Sequence, residues 1–407
     1  MANEVEYAGT IEPSPVSPGL DTKRRGAMPD TSPIDVNLFA GAGGLAIGLR
    51  RAGFAPCVLY DNDSYACRTL RHNIESRDST LVGSVNEGDV RKVDWRSLTH
   101  TVRLLAGGVP CQPFSLAGKH LAEQDGRNLF PEAIRAIREL HPMVVMIENV
   151  RGLLRPSFQP YFEYVLRQLE CPSVKPKQQE GWKDHNERIR KHQCSPGYQP
   201  EYQVSWRLLD AADYGVAQNR HRIFVVLTSS NLPVYKFPAP THSRAALIHE
   251  QRSGRYWDQR GISRPKDLDL CLEYPGPNDC RLPWLTVRDA LLGLPDPAEC
   301  EESAWMNHWN IPGARIYDGH TGSSLDHPSK TIKSGVHGVP GGENIVTDDC
   351  GEVRYYSLRE TARLQSFPDS HYFEGARLHV TRQIGNAVPS RLAEVVALAL
   401  YQLIGKR

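Results

Sequence analysis

The sequence predicts an α/β fold with a mainly parallel sheet, on three observations. Apolar runs at 34–39, 57–60, 102–108 and 143–147 read as strands. Helical and turn patterns alternate with them, as in a wound sheet with helices on its faces. The residues with reactive side chains, Asp61, Cys111 and Glu148, come just after such runs, and the ligand crevice of a parallel sheet lies outside the strands' carboxyl ends.

Residues 1–33 are rich in Pro, Ser, Gly and charge without periodicity, and a disordered tail is expected. Its Lys23-Arg24-Arg25 reads either as a solvated charge run or as a phosphate contact. The strand at 34–39 runs into Ala40-Gly41-Ala42-Gly43-Gly44-Leu45 and then a helical pattern. Glycines there allow close approach of backbone to a ligand, and the helix N-terminus attracts negative charge. The same turn also fits a dinucleotide fingerprint, Gly41-x-Gly43-x-x-Ala46. Asp61 follows the second strand where an acid commonly meets a ribose hydroxyl, and Gly88-Asp89-Val90 supplies another carboxylate at a third strand.

The run Val102–Gly108 leads to Pro110-Cys111-Gln112-Pro113-Phe114-Ser115. Two prolines stiffen that loop, so a thiol held in it loses little freedom on attack. A helix is expected over 129–137. Glu148 then ends the unbroken apolar run Met143–Ile147, which reads as a strand covered on both faces. Partial burial would raise its proton affinity, so that it shares a proton with a ring nitrogen; the other reading is a cap of the next turn.

In Gln218-Asn219-Arg220-His221-Arg222, extended chain would put Gln218, Arg220 and Arg222 on one face, Asn219 and His221 on the other. The first face suits a phosphate or a polar ring edge, or else belongs to a solvated edge strand. A polar, Lys/Arg/Gln-rich insertion interrupts the pattern from about Cys171 to Pro200, either facing DNA or inert. From Thr228 to about Tyr355 the composition shifts to Pro, Gly, Trp and short apolar runs, and 392–404 reads as a helix with an apolar face. The expected organisation is a tail at 1–33, a first domain at 34–227, a second at 228–378, and a segment at 379–407 that returns to the first.

With these residues in view, the chain resembles the cytosine-C5 DNA methyltransferases. FAGAGG at 39–44, Asp61, Gly88-Asp89, PCQPFS at 110–115, Glu148-Asn149-Val150, QNRHR at 218–222, RETARLQSFPD at 359–369 and QIGNAVP at 383–389 come in that family's order. The resemblance implies a Rossmann-like S-adenosylmethionine-dependent methyltransferase domain with a smaller target-recognition domain at 228–378. Cys111 would add to C6 of a cytosine flipped out of duplex DNA, making C5 nucleophilic. Glu148 would hold and protonate the N3 edge, and Arg222, with Arg220 and Gln218, would stabilise the ring oxygen, the phosphate or the nucleophile loop. The loop from Ser115 through Asn128 would close over the base.

For the cofactor, the resemblance places Phe39, Ala40, Gly41, Gly43 and Gly44 around the adenine and methionine, Asp61 on the ribose and Asp89 on the adenine amine. Asn62, Val90 and Pro110 would line the same pocket, and Asn386 and Val388 would close it from the other side. Asn62 stands where relatives often carry a flat apolar residue, a departure that leaves the adenine without a stacking partner there. Arg315, His320, Lys330, Lys333 and His337 are candidates for DNA contact. The role implied is methylation of a specific site in double-stranded DNA as part of a restriction-modification system, with a cognate restriction endonuclease as functional partner and a monomeric enzyme.

Lys and Arg total 48 against 47 Asp and Glu, a formal net charge of +1. A DNA-binding surface must therefore come from local segregation of charge. Nine cysteines without a pairing pattern, one of them a presumed nucleophile, point to a reducing cytoplasm. Cys171, His185, His192 and Cys194 match no common zinc spacing, and no metal is expected. No stretch reads as long and apolar enough to cross a membrane, and the acidic first residues lack a signal-peptide core. Two rival readings are a nicotinamide-dependent oxidoreductase, on the glycine-rich turn and Asp61, and methylation of a transfer RNA. The first has no use for Cys111 and Glu148 together; the long 228–355 interval favours DNA over the second.

Overall fold

Strand β1 (Ile34–Leu38) lies inside a seven-stranded sheet, third from one edge, with β2 (Pro56–Asp61), β3 (Ser84–Glu87), β4 (Val102–Gly108), β5 (Val144–Val150), β6 (Tyr202–Asp210) and β7 (His221–Ser229). The strand order is β3-β2-β1-β4-β5-β7-β6. The computed structural model describes residues 32–76, 81–110, 128–265, 279–300, 305–316, 321–335 and 344–405. Strands β1 to β5 are parallel, and β7 runs antiparallel to both β5 and β6. The order reverses between β1 and β4, which puts a crevice at the carboxyl ends of those two strands. The alternative of a solvated edge strand for the 218–222 segment is not met: β7 is inside the sheet, hydrogen-bonded on both sides, and β6 is the edge.

Alternation along the strands divides the core between two faces. On one face Leu105, Val145, Ile147, Ile223 and Val225 pack beneath α3 (Phe130–Leu140) and α4 (Gln159–Glu170). On the other, Leu104, Ala106, Val144, Met146, Phe224 and Val226 pack with Leu45, Leu392 and Val396. Successive residues go to opposite faces because the strand period is two. This is why Met143–Ile147 reads as an unbroken apolar run.

Helices α1 (Gly44–Arg51) and α2 (Ser64–Glu75) make the first two crossovers, and α5 (Trp182–Gln193) lies within the polar insertion, packed on α4. The others are α6 (Arg244–Ser253), α7 (Arg255–Arg260), α8 (Val287–Leu291), α9 (Leu358–Leu364), α10 (Arg377–Asn386) and α11 (Ser390–Ile404). From Pro33 onward the chain is one compact unit. A third core cluster joins Ala42, Ala46 and Leu70 of the first crossovers to Ile332, Val346, Leu358, Phe367 and Ile384. The 228–378 interval thus shares apolar core with the sheet domain well before residue 379. Its own short strands, Ser323–Ser324, Ile345–Thr347 and Val353–Tyr355, form a three-stranded sheet.

The span Arg377–Ile404, α10 and α11 together, has the length and composition of a membrane-crossing helix, against the sequence expectation. It breaks at 387–389, and α11 lies on α1 so closely that a Cβ on Gly48 would sit 2.5 Å from that of Ala393. Its apolar face is core.

Candidate active site

Glu148 and Arg222 form the centre of the site. Glu148 ends the apolar part of β5, and Arg222 is the second residue of β7, whose register sets it opposite Val150. From there its guanidinium reaches back to the carboxylate, Nε to Oε1 at 2.8 Å, with both side chains nearly buried. Gly108 is the register partner of Glu148 on β4, and a Cβ there would be 3.3 Å from Oε2. The carboxylate therefore lies over the strand end that leads to Pro110. Burial pushes the Glu148 carboxyl up from the ordinary glutamate range, while Arg222 and Arg220 pull it partly back. Burial in turn pulls the Arg222 guanidinium down, against the carboxylate that holds it charged.

Asn149 is a part of the site whose role the sequence did not suggest, although it stands within one of the quoted motifs. Its Nδ2 donates to the Val109 carbonyl at 3.2 Å, and its Oδ1 accepts from the Val150 amide at 2.8 Å. It fastens the end of β5 to the chain just before Pro110. Cys111 itself lies outside the described residues, as do the loop residues 115–127, His320 and His337.

The alternation in 218–222 holds, with a different outcome for two members. Asn219 Nδ2 and His221 Nε2 both face Asp210 Oδ2, at 3.1 and 3.6 Å. On the opposite side Arg220 is fully buried, and its guanidinium donates to the carbonyls of Ile332 at 3.0 Å, Gly385 at 2.6 Å and Ala387 at 3.1 Å. Gln218 donates to Leu364 O at 3.0 Å and accepts from the Ile332 amide at 3.0 Å. These two tie the entry of β7 to the 329–332 segment and to α10, rather than presenting donors to a phosphate or ring. The physical reason is burial: the two terminal nitrogens of a guanidinium wholly removed from water are held by fixed carbonyls, while Nε is buried without a partner. Burial and the neighbouring Arg222 hold the Arg220 proton affinity well below the usual range.

Lys333 adds a third cation, half-buried, with its proton affinity lowered by burial and by Arg220 and Arg222. Asn344 clamps its backbone, accepting from the amide at 2.9 Å and donating to the carbonyl at 3.2 Å. Lys330 reaches Thr321 Oγ1 at 3.0 Å, and Arg315 is exposed.

Around the switch point, the chain turns sharply after β1. Phe39 has φ 52° and Gly41 φ 53°. Ala40 N donates to Tyr60 O at 3.0 Å, and Gly41 N to Asp61 Oδ2 at 2.7 Å. Asp61 Oδ1 also accepts from Asp63 N at 2.8 Å. Burial raises the Asp61 carboxyl, and these amides partly offset that. A Cβ on Gly41 would meet nothing within 4 Å, whereas one on Gly43 would meet Leu70 and Leu81 at 3.0 Å and one on Gly44 would overlap the Val388 carbonyl. So Gly41 borders open space, and Gly43 and Gly44 are required by packing.

Val388 is buried behind Gly44, and Asn386 is exposed at the end of α10. Asn62 is exposed beside Asp61. Asp89, past the end of β3, is held by Arg91, whose Nε lies 2.9 Å from each carboxylate oxygen, and this pairing lowers its carboxyl to about 2. Val90 faces the core, and its carbonyl accepts from Arg135 at 2.8 Å. The side chain thus packs inward instead of lining the pocket. The cysteines and histidines of the insertion part company: Cys171 and His185 are buried, with His185 Nδ1 2.9 Å from Tyr164 Oη and Nε2 2.8 Å from Val174 O, while His192 and Cys194 are exposed.

The model of the C-5 cytosine-specific DNA methylase family matches residues 35–171, 182–262 and 306–402. The chain is 32% identical over 383 residues to the Type II methyltransferase M.NgoMIV of Neisseria gonorrhoeae, covering 91% of this chain and 98% of that protein. It is also 32% identical over 400 residues to M.Eco47II of Escherichia coli, covering 93% of this chain and 82% of the relative. Among solved structures it resembles the S. pombe Dnmt2 methyltransferase (TM-score 0.53, 16% identity, covering 91% of this chain and 97% of that one). The Entamoeba histolytica methyltransferase EhMeth is similar too (TM-score 0.56, 13% identity, 92% and 100%). At those identities the structural likeness speaks for the fold alone. The family match over most of the chain and the 32% identity to two Type II methyltransferases along most of their length agree, and the protein belongs to the cytosine-C5 DNA methyltransferases of bacterial restriction-modification type.

Proposed function

We propose that this methyltransferase modifies C5 of a cytosine flipped out of a specific site in double-stranded DNA, through a transient bond between Cys111 and C6. The observation that carries this reading is the buried Glu148–Arg222 pair lying over Gly108, three residues before Cys111 in the chain. Cytosine C5 is a weak nucleophile. Addition of a thiolate to C6 moves the ring's π electrons toward C5, and a proton held at N3 neutralises the negative charge that builds in the ring. A carboxyl with raised proton affinity is suited to carry that proton. Arg222 orients it and offers its remaining donors to the ring oxygen. After transfer, loss of the C5 proton and expulsion of the Cys111 sulfur restore the aromatic ring.

S-adenosylmethionine is the methyl donor in this reading, and when bound it supplies an electrophilic methyl group on a sulfonium. The turn after β1 fits such a group: Gly41 borders open space, and Asp61 presents a carboxylate beside it. Phe39, Ala40 and Gly41 would hold the donor with Asp61, and Asn62, Pro110 and Asn386 would border it. Gly43, Gly44 and Val388 would shape the wall from behind. Asp89 would reach the donor only by leaving Arg91.

The partner in the cell would be a cognate restriction endonuclease, in keeping with the Type II names of the relatives, with the enzyme acting as a monomer in the cytoplasm. Expression in a methylation-free host followed by bisulfite sequencing tests the substrate: 5-methylcytosine at one short motif is expected, and none at any motif would refute the reading. Cys111→Ser should abolish transfer with donor binding retained. A duplex carrying 5-fluorocytosine at the mapped site should become covalently attached to the wild-type protein and not to that variant.

A further inference from the structure

The insertion between α4 and β6 reaches the same rim of the sheet as the active site. Asn128, where the chain returns after the 111–127 segment, donates from Nδ2 to Tyr161 Oη at 2.6 Å. Tyr161 stands in the first turn of α4, which follows the carboxyl end of β5. Its ring meets that of Trp182 edge-on, with centroids 5.7 Å apart, and Trp182 opens α5. Tyr164 meets His185 and Glu170 meets Gln193 further along, so α5 runs parallel to α4 and its N-terminal end is the end nearest the rim.

Just before Trp182 the chain makes a fixed turn. Lys177 N donates to Glu180 Oε2 at 2.7 Å, and Glu180 N to Lys177 O at 3.1 Å. Arg188 reaches Glu180 with Nε at 2.9 Å and Nη2 at 2.7 Å, which keeps that carboxylate ionised and occupied. Lys177, Gln178 and Gln179 are left exposed on this turn, and Lys183 is exposed in the first turn of α5. Over the whole insertion Lys175, Lys177, Lys183, Arg190 and Lys191 are exposed, against the exposed acids Asp184 and Glu187, of which Glu187 already faces Arg190 at 3.4 Å. In a chain of net charge +1 this is a local excess of positive charge. Residues 172–181 also fall outside the family match.

We propose that the 177–179 turn and Lys183 form an auxiliary clamp for the DNA backbone, gripping phosphates that flank the target site on the side where the nucleophile loop returns. A duplex is the occupant that fits. The lysines are point charges suited to phosphate, the glutamines add neutral donors to phosphate oxygens, and the turn's backbone is already held by Glu180, so contact orders side chains but little backbone. The clamp adds affinity without sequence information.

The test needs no knowledge of the recognition site, because phosphate contacts are sequence-independent. Random-sequence duplexes of about 12 and about 40 base pairs, short and long relative to a single-site contact, are titrated across a salt series with the wild type and with the double variant Lys177→Glu, Lys183→Glu. On the long duplex the variant should lose about 10-fold or more in affinity, and its salt slope should fall by about two, close to 0.9 for each phosphate contact. On the short duplex the loss should be smaller. Methyl transfer to plasmid at saturating DNA should be unchanged, which separates failure of the clamp from failure of catalysis. An Arg190→Glu, Lys191→Glu variant makes the same change of charge at the far end of α5. Equal losses in the two variants, or a wild-type slope in the first, would overturn the proposal.

Discussion

Arg222 Nε and Glu148 Oε1 are 2.8 Å apart in a pocket that excludes most water from both side chains. Burial raises the glutamate's proton affinity and the guanidinium lowers it, burial being the larger influence. If the protonated carboxyl is the form that engages N3, activity declines as pH rises through this raised value, and the decline sets in above the range of an ordinary glutamate. Arg222→Lys holds the carboxylate less well, so the alkaline limb of the kcat/KM profile should move to higher pH in whatever activity remains. An unmoved limb would show that Glu148 is not the titrating acid. Glu148→Gln should cost about 10²–10⁴-fold in rate, the usual worth of a positioned acid, with donor binding measured by calorimetry unchanged.

Arg220 and Arg222 should separate cleanly in mutagenesis although they stand two residues apart. Arg220→Ala removes the partner of the Ile332, Gly385 and Ala387 carbonyls. Each buried carbonyl left without a donor costs about 1–3 kcal/mol. A stability loss of about 3 kcal/mol or more in urea unfolding is expected, and Lys in its place cannot reach the same set of carbonyls. Arg222→Ala should cost less stability and far more activity. Equal stability losses would contradict this division of labour.

Gly41 and Gly48 make an opposed pair. Alanine at Gly41 meets no neighbour, so stability should change only by the cost of a left-handed alanine, about 1 kcal/mol, while donor affinity falls because the new methyl enters the open space beside Asp61. Alanine at Gly48 would sit 2.6 Å from the Ser390 carbonyl and 2.7 Å from the Glu394 amide, which are backbone and cannot turn aside. Thermal unfolding should show a loss of about 1–3 kcal/mol there, from forcing α1 away from α11. Unchanged donor affinity in Gly41→Ala would remove that glycine from the binding site.

Asp61 carries a carboxyl raised by burial, so it takes up a proton at higher pH than an exposed aspartate does. Protonation removes acceptor capacity that the Gly41 and Asp63 amides use, and with it the anchor of the turn. Donor affinity should therefore weaken on acidification, measured by calorimetry across pH. Asp61→Asn should be weak at all pH values and lose most of that dependence. A wild-type profile in this variant would assign the titration to another group.

The strand pattern and the reactive positions at strand ends were legible because both rest on local rules: a buried parallel strand is apolar throughout, and the chain leaves it at the ligand edge. Glu148, Asp61 and the glycine turn sit where that logic puts them. The roles of Arg220 and Gln218 were not legible. Alternation correctly assigned their face, but only tertiary packing brings Ile332, Leu364 and Gly385 against it, from more than a hundred residues away in the chain. Val90 and Asp89 show the same limit, one drawn into the core and the other onto Arg91. The sequence by itself determined the fold class, the order of the motifs and the chemistry on offer, since these follow from periodicity and residue type. Tertiary structure alone decided which charges meet in the dry interior, because burial and partner choice are set by segments that no local rule connects.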